Sequence, residues 1–153
     1  MRKLSRYFLS FDIIQLITTF LDIAAVVLDP DTKVDGLIIS NTTIARPDYL
    51  TSSNKNEIGG LSGAPVKKAA TGVIRDMYTL TKGQLPLIGV GGIASGEDAY
   101  EKIRAGASLV QLYTSLALEG PTVVHRVNTE LAALLKRDGF ESVAEAVAAD
   151  VKL

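Results

Sequence analysis

Residues 85–114 read LPLIGVGGIASGEDAYEKIRAGASLVQLYT, and this stretch decides the fold class. It contains two short apolar runs, Leu85–Val90 and Ser108–Tyr113, of the kind that forms strands buried on both faces of a sheet. Between them, Ser95 is placed to cap a helix, with the acidic residues Glu97 and Asp98 in its first turn. Strand, helix and strand in this order predict a right-handed βαβ unit with parallel strands.

The same alternation extends on both sides of this unit. Gly36–Ser40 is another buried strand, a polar loop follows over residues 41–60, and apolar residues recur at helical spacing from Val66 to Leu80. Beyond residue 114 the pattern predicts a long helix over about 123–136 and a short last helix over about 142–148. The fold class is therefore α/β, in the order helix, β, α, β, α, β, α, α.

This pattern fits two architectures, an open doubly wound sheet or part of a βα barrel. Three strands are too few for either on its own, because the outer strands would expose unpaired edges, at about Leu37 and Leu109. The chain has 153 residues, whereas a closed eight-fold βα barrel takes about 250. We therefore expect that part of the fold is missing from this chain or is supplied by a partner.

The composition excludes several classes of protein. The chain is 47% apolar and 22% charged, which is typical of a globular domain and not of a disordered chain. Its formal net charge of -1 argues against a nucleic-acid partner, because phosphate binding needs an excess of Lys and Arg. With no Cys and a single His, His125, we expect neither disulfides nor a metal site, and His125 is expected on the surface.

Residues 1–21 form an atypical apolar segment. Three basic residues, Arg2, Lys3 and Arg6, precede an apolar run that continues to Leu28. A basic start of this kind is found in secretory signals, organelle presequences and membrane anchors. Polar residues interrupt the run at Asp12, Gln15 and Asp22, which disfavours a membrane span. The alternative is an apolar helix whose packing partner lies outside this chain, and the sequence leaves this choice open.

Small and hydrogen-bonding residues follow each predicted strand, at Ser40–Thr43, Gly91–Gly92 and Tyr113–Ser115. In both architectures ligands bind beyond the carboxyl ends of the strands. A Gly-Gly pair lets backbone N–H groups approach a phosphate, and the next helix adds its positive end. The chain has neither a Walker lysine motif nor G-x-G-x-x-G, so we favour a phosphorylated cofactor other than a dinucleotide. The alternative is that the glycines only permit a tight turn.

Other polar positions near the strand ends have two interpretations each. Asn41 either hydrogen-bonds a planar polar ligand or caps the next turn, and Gly59–Gly63 either contacts a ligand or hinges the loop. Tyr113 either stacks on a ring or belongs to the core. We expect Arg46 and Lys55, in the long loop, to be solvated.

Four motifs then make the chain resemble a known family. They are 34–43 (VDGLIISNTT), 59–65 (GGLSGAP), 87–92 (LIGVGG) and 103–114 (IRAGASLVQLYT). In order and spacing they strongly resemble the C-terminal part of class 2, quinone-dependent dihydroorotate dehydrogenase, from about Asp22 to the C-terminus. The resemblance implies a TIM-type βα barrel, of which residues 22–153 supply roughly the last three βα units and a C-terminal helix. It implies an FMN enzyme of pyrimidine (UMP) biosynthesis that oxidises dihydroorotate to orotate with a quinone as acceptor.

The resemblance also assigns residues. Ser40, Gly63, Gly92, Tyr113 and Thr114 would contact FMN, with Gly92 and Tyr113–Thr114 at its phosphate. Two further residues, Asn41 and Thr42, would hydrogen-bond the orotate ring. The catalytic Ser of the family, in a loop Asn-x-Ser-x-Pro-Asn, and its flavin-contacting Lys have no counterpart, so no catalytic residue is assigned.

The parts of the family that meet the membrane and the quinone also lie outside this chain. The resemblance implies the mitochondrial inner membrane in a eukaryote or the cytoplasmic membrane in a bacterium. The chain looks like a fragment, a splice product or an imperfect gene model. Two alternatives remain: a catalytically inactive truncated FMN-barrel chain, or another FMN-dependent βα-barrel dehydrogenase.

Overall fold

A parallel sheet of four strands organises the computed structural model, which describes residues 8–11 and 17–152. The strands are β1 (Phe8–Phe11), β2 (Gly36–Ile39), β3 (Leu87–Val90) and β4 (Leu109–Gln111). They lie in the sheet in chain order, and every neighbouring pair is parallel. The predicted α/β class with parallel βα units is therefore confirmed.

Helices connect and cover the strands. They are α1 (Ile17–Leu28), α2 (Lys67–Thr81), α3 (Gly96–Arg104), α4 (Thr114–Glu119), α5 (Thr122–Arg137) and α6 (Val143–Ala146), and a 3-10 turn over Ala64–Val66 precedes α2. The predicted cap of α3 is confirmed, because the Ser95 hydroxyl accepts the Asp98 N–H at 3.2 Å. Helix α4 was not predicted; it begins at Thr114, and the strand before it ends at Gln111 rather than at the predicted Tyr113.

The core consists of two apolar clusters. The first combines α1, α2 and the sheet, and its buried members include Phe20, Val27, Leu37, Ile39, Ile74, Met77 and Leu87. The second joins α3, α5 and α6, and includes Ile93, Tyr100, Ile103, Val127, Leu131 and Ala146. Both clusters pack helices against parallel strands, so the carboxyl ends of the strands are held at fixed positions.

The predicted open edge at Leu37 is wrong, because β1 covers it. Leu9 lies opposite Leu37 in the parallel pairing, and Leu37 is 0% exposed. A strand was not predicted here because a long apolar run does not distinguish a strand from a buried helix. The predicted edge at Leu109 agrees with the structure, since β4 pairs only with β3 in the described part of the chain and Leu109 is 60% exposed.

Helix α1 packs inside the chain, so for residues 17–28 the alternative of an apolar helix with its partner elsewhere is wrong. Phe20, Ala24 and Val27 repeat at helical spacing and belong to the same buried cluster as Val73 of α2. No helix in the described ranges is long and apolar enough to cross a membrane. The basic residues and the polar residues Asp12 and Gln15 lie outside the described residues. Helix α1 runs across positions 21 and 22, and the domain boundary between them stays a prediction.

Candidate functional site

A cavity of about 440 Å³ lies at the carboxyl ends of β2, β3 and β4. Its volume falls within the roughly 300 to 1,000 Å³ of ligand pockets. Its lining includes all seven residues that the family resemblance assigned: Ser40, Asn41, Thr42, Gly63, Gly92, Tyr113 and Thr114. The topology thus brings the three strand ends and the Gly59–Gly63 segment to one place.

The end of β2 provides the first wall of the cavity. Ser40 is buried, and its N–H donates to the Val90 carbonyl at 3.2 Å, which ties the end of β2 to the end of β3. The next residue, Asn41, is exposed, and its Oδ1 accepts the Thr42 N–H at 2.8 Å. This is the local interaction that the sequence gave as an alternative. The Asn41 Nδ2 donates to no acceptor among the described residues, so its role toward a ligand stays a prediction.

Gly59–Gly63 forms the second wall. Thr43 and Leu61 exchange backbone hydrogen bonds at 2.7 and 3.0 Å, which fixes this segment against the end of β2. Gly60 packs so closely there that a Cβ atom on it would lie 1.9 Å from Thr42 Oγ1. Gly63 lines the cavity and Gly60 packs against Thr42, and the choice between ligand contact and a loop hinge stays a prediction.

Arg46 holds the ends of the long loop together. Its guanidinium donates to the carbonyls of Thr43 at 3.3 Å, Ala45 at 3.2 Å, Glu57 at 3.0 Å and Gly59 at 2.7 Å. The prediction of a solvated Arg46 is therefore wrong. A planar group with five donors suits this task, because it can bind several carbonyls at once.

Gly92 forms the third wall with a backbone that only glycine adopts easily. Its φ is +70°, and a Cβ atom on it would lie 2.5 Å from Lys67 Cβ and 2.8 Å from Lys67 N. A side chain is thus excluded both by conformation and by the first residue of α2. The N–H groups of Gly92 and Ile93 bind no acceptor in the described ranges of the chain.

The N-terminus of α3 does not have the predicted role. The N–H groups of Ala94 and Ser95 donate to Asp98 Oδ2 at 2.9 and 3.0 Å, and the Gly96 N–H donates to Glu130 Oε2 at 2.6 Å. Protein carboxylates therefore already occupy the positive end of this helix. The prediction that it adds to an anion site is wrong, because the carboxylates of Asp98 and Glu130 already accept its N–H groups. No local pattern indicated Glu130, since it lies on α5, 34 residues away.

The first turn of α4 forms the last wall. Tyr113 is 76% exposed, so the core alternative for this residue is wrong. Ser115 donates to the Ile93 carbonyl at 2.6 Å, which joins this turn to the Gly91–Gly92 loop. Thr114 Oγ1 donates to Ser62 Oγ at 3.0 Å. The N–H groups of Thr114 and Ser115 open a helix and have no acceptor within it.

Both acids that line the cavity are paired with cations. Lys67 Nζ lies 2.5 Å from Asp98 Oδ1 and 3.2 Å from Glu101 Oε2, and Glu119 pairs with Arg126. Burial alone would raise the pKa of Asp98. The carboxylate accepts hydrogen bonds from Lys67, Ala94 and Ser95, and these bonds hold its pKa below the usual value. The hydrogen bond to Asp98 in turn raises the pKa of Lys67.

Sequence reasoning missed Lys102, which is 0% exposed on α3. Its Nζ donates to Thr71 Oγ1 at 3.0 Å and to the Lys67 carbonyl at 3.3 Å, which joins α3 to the start of α2. Desolvation lowers the pKa of Lys102 to about 8. A lysine one position before the apolar Ile103 gives no sequence signal of burial. His125 is exposed on α5, as predicted.

Parallel βα units with a cavity at the carboxyl ends of the strands define an α/β protein of the βα-barrel or the doubly wound class. The sequence model of the dihydroorotate dehydrogenase family matches residues 13–135. The chain belongs to this family. It is 58% identical over 132 residues to a dihydroorotate dehydrogenase (quinone) of Parvibaculum lavamentivorans, which is 86% of this chain and 37% of the relative.

Further relatives agree with this assignment. Over 117 residues the chain is 57% identical to the mitochondrial dihydroorotate dehydrogenase (quinone) of Mus musculus, covering 76% of this chain and 30% of that protein. A crystal structure of DHODH from Eimeria tenella in complex with ferulenol superposes with a TM-score of 0.90 at 44% identity, over 95% of this chain and 38% of that one. The resemblance to the quinone-dependent class and the partial barrel are therefore confirmed, and the chain spans well under half the length of these relatives.

Proposed function

We propose that this chain forms the part of a quinone-dependent dihydroorotate dehydrogenase that binds the phosphate of FMN and one side of the dihydroorotate ring. The whole enzyme would oxidise dihydroorotate to orotate in pyrimidine biosynthesis and reduce a quinone. One observation carries this proposal: all seven residues assigned by the family motifs line a single cavity. Membrane association, at the mitochondrial inner membrane or the bacterial cytoplasmic membrane, would come through a region outside this chain.

The chemistry of the donors fits a phosphate. Gly92 and Ile93 offer backbone N–H groups on one loop, and Thr114 and Ser115 offer two more on the neighbouring one. Consecutive N–H groups in such turns form concave anion sites without needing a charged side chain. The bond from Ser115 to the Ile93 carbonyl fixes the distance between the two loops. We therefore assign the phosphate to these loops and the ring system to the wall formed by Ser40 and Gly63.

The substrate ring would meet Asn41 and Thr42. Bound FMN supplies the two-electron acceptor of the oxidation. The task of Asn41 is to orient the ring, since its amide offers donors to the ring carbonyl oxygens. Its own position is fixed by the bond from the Thr42 N–H to Oδ1.

No carboxylate is free to act as a general base among the described residues that line the cavity. Asp98 pairs with Lys67 and Glu119 pairs with Arg126, so neither carboxylate is available to take a substrate proton. The Ser115 hydroxyl donates to the Ile93 carbonyl. We therefore propose that the proton-removing residue comes from outside this chain, which agrees with the missing serine loop.

The proposed phosphate site is tested by comparing FMN with riboflavin, which differs only in lacking the phosphate. The full 153-residue chain should bind FMN about tenfold more tightly than riboflavin, because phosphate contacts add to those of the ring system. Flavin fluorescence quenching measures both dissociation constants. Inorganic phosphate should compete with the binding of FMN and should not compete with the binding of riboflavin. Equal affinity for the two flavins, or binding of neither, would reject the proposed function.

Substitution of Gly92 does not test the phosphate site by itself. Replacing Gly92 by Glu adds a negative charge, but its Cβ would also collide with Lys67. Loss of FMN would then follow from a displaced α2 as well as from charge repulsion. The comparison of two flavins avoids this ambiguity, because the protein is unchanged.

The role of Asn41 is tested by Asn41→Ala. We expect FMN affinity to be preserved and orotate affinity to fall roughly five- to hundredfold, because a buried ligand group left without a partner costs about 1 to 3 kcal/mol. Calorimetric titration of the FMN-loaded chain with orotate measures this change. Asn128→Ala, at an exposed position of α5, is the matched control. Unchanged orotate affinity would reject the substrate role of Asn41, and its only function would then be to accept the Thr42 N–H.

A further inference from the structure

The loop that carries Gly92 is held from behind by an ion pair. Lys67, the first residue of α2, packs its backbone under Gly92 and extends its ammonium to Asp98 Oδ1 at 2.5 Å. The second oxygen of the same carboxylate accepts the N–H groups of Ala94 and Ser95 at 2.9 and 3.0 Å. Asp98 thus fixes the end of the loop, and Lys67 fixes Asp98.

This arrangement places a carboxylate beside the proposed anion site. The Asp98 side chain is only 14% exposed and lines the same cavity as Gly92. Between two negative groups in a partly buried site, repulsion is strong unless a cation compensates it. Asp98 is ionised at neutral pH, because Lys67 and its N–H donors outweigh the effect of burial on its pKa.

Lys67 is the one cation among the described residues that line the cavity. The other acid of the lining, Glu119, has its own partner in Arg126, which lies outside the lining. The neighbouring Lys68 does not line this cavity and lines only a second groove, which Lys67 also reaches. Two lysines adjacent in sequence therefore differ in their relation to the site.

We propose that Lys67 is a positioning and charge-compensating residue of the anion site. Its ammonium cancels the charge of the Asp98 carboxylate, so that Asp98 can order the loop through Ala94 and Ser95 without repelling the phosphate of FMN. This inference rests on the proposed function, and it adds a role for a residue whose backbone packs against Gly92 and whose side chain pairs with Asp98. It predicts that Lys67 affects FMN and not riboflavin.

The test uses Lys67→Met in the full chain, with the dissociation constants of FMN and riboflavin as readouts. We expect FMN to bind about tenfold or more weakly, because the uncompensated Asp98 charge then faces the phosphate. Riboflavin affinity should change by less than about twofold, since it carries no charge to be repelled. Lys68→Met removes the same charge one residue away and should leave both affinities within about twofold of the wild type.

Removal of the opposing charge provides the second arm. In Lys67→Met with Asp98→Asn, the amide oxygen still accepts the loop N–H groups but carries no charge, so FMN affinity should recover to within about threefold of the wild type. Asp98→Asn alone should bind FMN as well as the wild type or better, and this variant remains informative if the Lys67 variant does not fold. Circular dichroism verifies that each variant is folded.

Three results would overturn the role of Lys67. They are equal losses of FMN and riboflavin in Lys67→Met, no recovery in the double variant, or an FMN loss in Asp98→Asn alone as large as that expected for Lys67→Met. A wild-type chain that binds both flavins equally would instead reject the proposed function itself. The two failures are therefore distinguishable from the wild-type measurement alone.

Discussion

The 153-residue chain, supplied with FMN, dihydroorotate and a short-chain quinone, is expected to form orotate at least about 100-fold more slowly than a full-length relative. General-base catalysis contributes about 10² to 10⁴ in rate, and the described cavity lining holds no free carboxylate to serve as a base. Its two acids are paired with Lys67 and Arg126. The loss should persist at saturating FMN, because it concerns proton removal rather than flavin binding.

Absorbance of orotate measures this rate directly. The full-length dihydroorotate dehydrogenase (quinone) of Parvibaculum lavamentivorans, 58% identical over the shared 132 residues, is the natural reference enzyme. Flavin fluorescence recorded in the same samples shows whether the short chain holds FMN during the assay. Turnover within about tenfold of the reference would contradict the prediction and would mean that a base lies within these 153 residues.

The elements that the sequence predicted correctly are those with a local periodic signal. Strands β2 and β3 follow from continuous apolar runs, and α2 follows from apolar residues at three- and four-residue spacing. Ser95 identified the start of α3 because capping depends on residues within one turn. Convergence of the strand ends also followed, since parallel strands present their carboxyl ends at one edge of the sheet.

What the sequence did not predict depends on distant partners. Strand β1 lies in a long apolar run, and its pairing with β2, 28 positions further on, decides that it is a strand. Arg46 is indistinguishable in sequence from a solvated arginine until the carbonyls of Glu57 and Gly59 are brought to it. Likewise Glu130 reaches the N-terminus of α3 only through the packing of α5 on that helix. The sequence thus predicts where the cavity lies, but it does not predict which charged side chains pair around it.

Lys102 should make the stability of the chain rise with pH in the alkaline range. Between pH 8 and 10.5, the free energy of unfolding of the wild type should increase by up to about 3 kcal/mol relative to Lys102→Met. Burial lowers the folded-state pKa to about 8 from the ordinary 10.5, so in this interval the unfolded chain binds a proton that the folded chain has released. Rising pH therefore favours the folded state, and below pH 8 both states are protonated and the difference is constant.

The physical reason is that the ammonium is buried with neutral partners only. Thr71 Oγ1 and the Lys67 carbonyl accept from its Nζ, and no carboxylate forms an ion pair with it among the described residues. Two neutral acceptors do not replace the hydration of a charge, whereas a neutral amine is buried at a lower cost. Lys102→Met removes the titrating group and retains the apolar stem that fills the space between α2 and α3.

Urea unfolding of the wild type and the variant at several values between pH 7 and pH 10.5 measures the difference. The difference in unfolding free energy between the two proteins does not contain the contributions of the tyrosines and of the other lysines, because these groups titrate in both proteins. Lys136→Met, at an exposed position of α5, is the control and should follow the wild type within about 0.5 kcal/mol at every pH. If Lys102→Met gained stability with pH as steeply as the wild type, the ammonium would not be the source of the effect, and Lys102 would be in contact with water in solution.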